Sequence, residues 1–409
     1  MWTVKQQYAL QDEILKERLH TLMPRLMREC GVEMWVVISR EYNEDPLFRT
    51  LVPPLVKNAG RTTCLVFCLD ADGRYEALNV SRPNPRLDGF YTQAMDRRDD
   101  VYQALNRLIA RKRPSRVHVN VSNECPMADG LSKNVYDRLA TATNGGVPLV
   151  SAEALAVRWI ETRTPRELEL YPEIYRLMMD IVDEVFSEDF ITPGVTTTTD
   201  VEWGIAQRVG ALGLPCWFSP DVDLQRRGGS DFRMFDEVIR PGDIVHCDVG
   251  LVCLGLHTDT QRNVYIGLPG ETEIPEGIRA AFRTGCRFQD IVRGCYAAGR
   301  TGNEILRLSL EQARAEGIRA MSYCHPIGVF GHSAGPCVGL FDNQGFVPGH
   351  GENAMHDDTC YALELNITQA VPEWGGQDVC MMLEETIAFT GGQTRFMDDK
   401  RDVIRFVKS

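Results

Sequence analysis

The 13 cysteines of this 409-residue chain include no Cys-x-x-Cys pair, which argues against a cysteine zinc site. Their number is odd, and the close pair Cys64 and Cys68 falls in an apolar run. Such thiols read as reduced and buried, in a cytoplasmic protein. No run of about 18 apolar residues occurs, so no membrane span is expected. The opening residues, Met1 to Tyr8, are too polar for a secretion signal. Positive charge is scarce: 44 Lys and Arg stand against 57 Asp and Glu, a net charge of −13. That excess argues against nucleic acid or anionic membranes as partners and suits a small-molecule or peptide substrate of cationic or zwitterionic character. Repeats and low-complexity stretches are also missing.

What is present suffices for two domains with sizeable cores. Residues 1–160 alternate helix and strand patterns. Glu13 to Cys30 has apolar residues at helical spacing. Strands are expected at 34–39, 63–69, 75–80 and 116–121, the middle two joined by the turn signal Asp70 to Gly73. A helix is expected at 100–112. This is an α/β domain without a catalytic set. The boundary falls near 156–163, where Thr164-Pro165-Arg166-Glu167 forms a capping box with Pro at the first helical position. The helix behind it carries Pro172, which should kink it or delay its start. Further helices are expected at 200–212, 276–298 and 302–316, closed where glycine allows by Gly213 and Gly317.

Chemistry concentrates in residues 161–409. Asp248 and Asp259 lie in two β-rich runs. A hairpin folded about 253/254 sets them opposite one another, with Cβ atoms roughly 4.5–5.5 Å apart. Glu364 and Glu384 repeat the device, because the turn residues Pro372 to Gly376 put the fold point at Trp374. Opposed like charges destabilise a sheet unless something neutralises them. Glu385 should point to the other face. His325 and His332 sit in a Gly- and Pro-rich stretch suited to a catalytic loop. One could ligate a metal; the other could stabilise an oxyanion or move a proton. His257 and His246, each two residues from an Asp, read as strand-surface histidines with an outer partner role as the alternative. Four carboxylates and an imidazole suit Mn, Zn, Co or Fe.

These residues resemble the "pita-bread" metallopeptidase family of aminopeptidase P, prolidase and methionine aminopeptidase, whose fold creatinase and a dimethylsulfoniopropionate lyase share. The family's Asp-x-Gly motif with a second Asp eleven residues on matches Asp248, Gly250 and Asp259, with Thr260-Gln261-Arg262 following. Its His motif, with a second His seven residues later, matches His325 and His332. Its two Glu strands match Glu364 and Glu384. The resemblance covers Arg163 to the end. It implies a C-terminal pita-bread domain over 161–409 behind a smaller creatinase-like α/β domain over 1–160, which helps form a homodimer and narrows the cleft. It implies two divalent metal ions bridged by Asp259 and Glu384. Asp248 would complete one shell, and His325 and Glu364 the other. A hydroxide between the metals would attack the carbonyl, with Glu364 as base and His332 stabilising the intermediate.

Three positions depart from the aminopeptidase P and prolidase branch, and all three concern substrate. Asp231 stands where that branch has a His, Ser333 where it has a Glu, and Met382 where it has an Arg. Arg226 and Arg227 could restore positive charge near the cleft, or form a solvated loop pair. The expected activity is cleavage of an amide bond of the Xaa-Pro aminopeptidase or dipeptidase kind. The alternatives are a non-peptidase of the same fold, acting on a small-molecule C–N bond or by lyase-like elimination, and a metal-binding recognition protein without turnover.

Overall fold

Apolar β-branched runs in the first part of the chain assemble a six-stranded sheet. Its order is Thr92–Gln93, Tyr75–Asn79, Thr62–Leu69, Met34–Arg40, Val117–Val119 and Leu149–Ser151. Thr62–Leu69 and Tyr75–Asn79 pair antiparallel across the turn beginning at Asp70. Buried Met34, Val36, Ile38, Cys64, Val66 and Leu105 lie in its core. The first helix starts earlier than its apolar spacing indicates: it runs Val4–Glu17, then through a π turn at Arg18–Leu22 into Met23–Glu29. The start is set by a capping box in which Thr3 and Gln6 exchange hydrogen bonds. All 13 cysteines are free thiols.

The computed structural model describes residues 2–143, 146–398 and 400–409, and the chain divides into units Met1–Ile160 and Glu161–Ser409. Among the described residues no helix is long and apolar enough to cross a membrane.

In the second unit, six strands position the acidic residues: β1 (Asp221–Gln225), β2 (Ile244–Val249), β3 (Thr260–Ile266), β4 (His325–Pro326), β5 (Thr359–Val371) and β6 (Gln377–Thr390). They belong to one sheet, in which β5, β6, β3, β2 and β1 lie side by side and β4 pairs with β5. Most odd-numbered residues in the middle of the long β5–β6 hairpin are apolar, Glu385 excepted. Leu363, Leu365, Ile367, Met381, Leu383 and Ile387 are buried in a core shared with helices Glu276–Gly294 and Gly302–Ala315. Strand alternation therefore sends Glu364 and Glu384 to the opposite face.

Helix Pro165–Val185 begins at its capping box and runs on through Pro172, so Pro172 does not delay its start. Proline lacks the N–H that would bond Leu168 O. Arg395 fills that vacancy, donating to Leu168 O at 3.0 Å. Helix Thr198–Ala211 is followed by Gly213 at φ 70°, and helix Gly302–Ala315 by Gly317 at φ 73°.

Candidate metal centre

One row of paired residues crosses the sheet: Asp221, Asp248, Gln261, Glu384 and Glu364, on β1, β2, β3, β6 and β5. Glu364 faces Glu384 directly, as the fold point at Trp374 requires. The other pair differs from the hairpin expected about 253/254. The turn lies at Leu254 and Gly255, both left-handed at φ 54° and 78°. Two positive φ values at the centre of a two-residue hairpin are what the strand twist favours. The register therefore moves by two, and Gln261, not Asp259, is opposite Asp248. Asp259 stays on the same face, two residues before Gln261.

Two ligand groups form among the described residues, each with its ligand atoms within 4.8 Å of one another: Asp259, His325 and Glu384, and Asp248, Glu364 and Glu384. Glu384 belongs to both. The resemblance puts Glu364 with His325; the structure groups it with Asp248. His325 Nε2 lies 3.5 Å from Asp259 and 3.9 Å from Glu384. Its Nδ1 faces Pro326 O at 3.0 Å, which directs Nε2 inward.

This donor set fits divalent cations. Asp248 Oδ1, His325 Nε2 and both carboxylate oxygens of Glu384 are buried without a hydrogen-bond partner. Each such orphan costs about 1–3 kcal/mol, and four directed at one place mark a space for something positive. The carboxylates show the same need. Burial first, then neighbouring charge, lifts Asp248 to about 7. Burial lifts Asp259 to about 7. Burial and the facing carboxylates hold Glu364 and Glu384 well above the ordinary range. Four acids that resist ionisation together become anions once cations stand between them.

Gln261 in the row and the residues behind it were not marked by the sequence as parts of the site. Gln261 Nε2 donates to Asp248 Oδ2 at 3.1 Å and to Glu364 Oε1 at 2.6 Å. His246 is not on the surface as its strand position suggested: it is buried, between Asp223 at 3.0 Å and Gln261 Oε1 at 3.2 Å. Burial works against its charged form, but Asp223 outweighs it and the pKa rises. Arg233 donates to Asp223 at 2.8 Å and to Asp221 at 2.6 Å. The available sequence signal was parity. Gln261 is two residues from Asp259, hence on the ligand face, and Asp221 and Asp223 alternate around buried Val222.

The remaining candidates divide. His332 is exposed, its ring 4.6 Å from that of His325 and edge-on to it. Partial burial and the neighbouring imidazole draw its pKa down to about 4, so the ring is neutral at pH 7. Trp217, unmarked in the sequence, stands 5.2 Å from His332. Glycine is required on both sides of it: a Cβ at Gly250 or Gly331 would come within 2.2 or 2.4 Å of the indole. His257 is half-buried and bonds Gly328 O at 3.1 Å, so it serves the loop and joins neither ligand group. Met382 is buried on the Glu384 side of β6, Ser333 is buried beside the His332 loop, and Asp231 is exposed. Arg226 corrects an expectation. It is neither a cleft charge nor a solvated loop residue, but grips Asp243 at 2.9 and 2.8 Å and Glu237 at 3.2 Å. With exposed Arg227 it lines a separate cavity of about 510 Å³.

On the reverse face, Glu385 pairs with Arg262 at 2.8 Å and accepts from Tyr175 at 2.7 Å. Arg262 also donates to Glu384 O at 3.0 Å, which ties β3 to β6 and so Asp259 to Glu384. Removing one partner of a buried pair leaves an uncompensated charge, at about 3–5 kcal/mol. Glu385→Ala should lower the melting temperature by roughly 10 °C. A thermal melt by circular dichroism checks this.

Comparison with known proteins follows the same lines. The profile described as Metallopeptidase family M24 matches residues 173–391, more than half of the chain. None of the curated proteins compared matches it. Among solved structures, the chain is similar to the X-Pro aminopeptidase of Thermotoga maritima MSB8, at 15% identity and TM-score 0.67, covering 94% of this chain and 100% of that one. It is similar to dipeptidase PepE of Mycobacterium ulcerans, at 17% identity and TM-score 0.64, covering 98% and 99%. A third is the Xaa-Pro dipeptidase of Bacillus anthracis, at 15% identity and TM-score 0.63, again covering 98% and 99%. At such identities the likeness establishes the pita-bread fold, while the profile match establishes kinship: the chain belongs to metallopeptidase family M24, and with it to the metallopeptidase-type hydrolases.

Proposed function

We propose that the chain is a dinuclear metal-dependent hydrolase that cleaves an amide bond, with Xaa-Pro peptides as its first candidate substrates. One observation carries this reading: five donors from four strands and an adjoining loop residue converge, with Asp248 Oδ1, His325 Nε2 and both Glu384 oxygens buried and unsatisfied. Asp259, His325 and Glu384 would hold one cation, and Asp248, Glu364 and Glu384 the other. Divalent cations held there supply Lewis acidity, polarising a carbonyl and lowering the pKa of water. Glu364 has one oxygen occupied by Gln261. Its second oxygen takes the proton of the attacking water and delivers it to the leaving nitrogen as the C–N bond breaks. His332, neutral and at the rim beside His325, donates a ring N–H to the oxyanion. Trp217 shields that donor on one side.

A metal-loaded sample assayed against an Xaa-Pro peptide panel tests the proposal. His332→Ala should cut kcat by about 10²–10³ while leaving KM nearly unchanged, as loss of one oxyanion donor does. Stopped kinetics on the best peptide decides it. A second reading has its own support. Asp231, Ser333 and Met382 leave the substrate side without the ionisable groups of the peptidase branch, and Met382 is buried on the metal side. Bound metal with no cleavage of any peptide would favour a small-molecule C–N hydrolase or a lyase-like elimination on the same centre.

A further inference from the structure

The acidic row continues past Glu364 into an apolar corner. The strand Arg319–Ser322 lies beyond β5 and pairs with it antiparallel, Met321 opposite Asn366 and Ser322 opposite Leu365. One residue on, the Tyr323 N–H donates to Glu364 O at 3.0 Å. Opposed residues share a face, so Tyr323 and Met321 stand on the metal side, about 4.8 Å beyond β5. Met382 flanks Asn366 from β6 on the same face. The Tyr323 hydroxyl accepts from Asn366 Nδ2 at 3.2 Å, and among the described residues nothing takes its own hydrogen. Phe341 stands edge-on to the Tyr323 ring at 5.6 Å and is 67% exposed. The loop carrying it is bonded to the sheet. Gln344 accepts from Ser322 N–H at 2.9 Å, and its amide donates to Ser322 O and Leu340 O, both at 2.8 Å. An apolar ring held in solvent beside an acidic row is surface that a ligand can cover.

We propose that Tyr323 and Phe341 select the leaving side of the substrate and take a residue whose side chain is apolar and uncharged. The inference rests on the amide-hydrolase reading above, in which Glu364 delivers its proton to the leaving nitrogen, and adds to it the residues that read what that nitrogen carries. The leaving residue lies on the Glu364 side of the centre and so meets this end of the row. Its side chain packs on the rings of Phe341 and Tyr323, with Met321 and Met382 at the floor. Its carbonyl oxygen accepts the hydroxyl hydrogen that Tyr323 leaves unused. None of these four side chains carries a charge. A leaving glutamate or lysine would set its charge unpaired against them, which is disfavoured.

Steady-state kinetics of manganese-loaded protein on the matched peptides Ala-X and Ala-X-Ala, with X as Pro, Leu, Glu or Lys, test this. For Pro and Leu, kcat/KM should exceed that for Glu and Lys by about tenfold or more. Phe341→Ala should raise KM for the apolar peptides by about tenfold and leave kcat nearly unchanged. Phe341→Leu should recover most of that loss. Tyr323→Phe should raise KM by about 2–10-fold and keep the preference. Phe341 is exposed, so its removal spares the fold, and a circular dichroism melt checks each variant. Saturation-transfer NMR with free L-leucine reads the same subsite without turnover: its methyl signal should be present in the wild type and largely lost in Phe341→Ala. Apolar and charged leaving residues cleaved alike, or Phe341→Ala kinetics equal to wild type, overturn the inference and leave the hydrolase reading standing. No peptide cleaved, with a leucine signal that depends on Phe341, overturns the peptidase reading and keeps the subsite. No cleavage and no such signal overturn both.

Discussion

Glu384→Gln should abolish catalysis and at the same time make the metal-free protein more stable. Both effects follow from its place in the row. Glu384 is shared by the two ligand groups, faces Glu364 across the hairpin and Gln261 across β3, and is 1% exposed. An amide keeps the shape and loses the charge. Residues that merely orient a ligand cost about 10–100-fold when removed; a ligand common to both cations should cost roughly 10³-fold or more in kcat/KM. The apo chain gains for the opposite reason. Burial and the charges of Asp259, Glu364 and Asp248 disfavour the Glu384 anion, and the substitution removes that anion. Relief of that repulsion should raise the apo melting temperature by about 5 °C. A substitution that costs activity and adds stability is the signature of a functional site held against its own repulsion. Activity lost together with stability would point to a structural role instead.

Metal-free protein should lose stability as pH rises from about 5 to 8, and divalent cations should reverse the trend. Asp248 and Asp259 are lifted from the ordinary carboxylate value of 3.8 to about 7 in the folded chain. A carboxyl whose folded value lies above its unfolded one favours folding below the unfolded value. That contribution is lost as pH climbs through the folded value, here near 7. Cation binding needs the ionised carboxylates and grows across the same interval. At a concentration about 1,000 times the dissociation constant it adds about 4 kcal/mol. The gap in melting temperature between loaded and stripped protein should therefore widen with pH. Asp259→Asn should flatten the slope of the stripped protein between pH 5 and 8. A gap that narrows with rising pH contradicts the account.

The legible parts of the site are those fixed by local chemistry. Glu364 and Glu384 can be paired from the sequence because Pro372 to Gly376 leave one place to turn and the strand around Glu364 alternates apolar and polar residues. The Asp248 hairpin cannot, because its turn puts a leucine at φ 54°, where sequence preference points to glycine or asparagine. Its register then slips by two and places a glutamine in a row of acids. Gln261, His246 and Asp223 look like solvated strand residues one at a time. Their meaning lies in contacts across three strands, and β1 itself carries only Val222 and Leu224 as apolar signal. Arg226 misleads for the same reason: a charged loop residue reads as solvated until Asp243 is seen behind it. The capping boxes at Thr3 and Thr164 show the reverse case. Only the second stands beside an expected helix start, yet both patterns are written within four residues.

Anomalous diffraction at the manganese edge, from crystals of the loaded protein, tests the central claim most directly. The account predicts peaks enclosed by Asp248, Asp259, His325, Glu364 and Glu384, with Glu384 touching both positions when both are filled. Manganese-loaded crystals with no anomalous peak among those five side chains, or with the ions bound elsewhere on the chain, would contradict it.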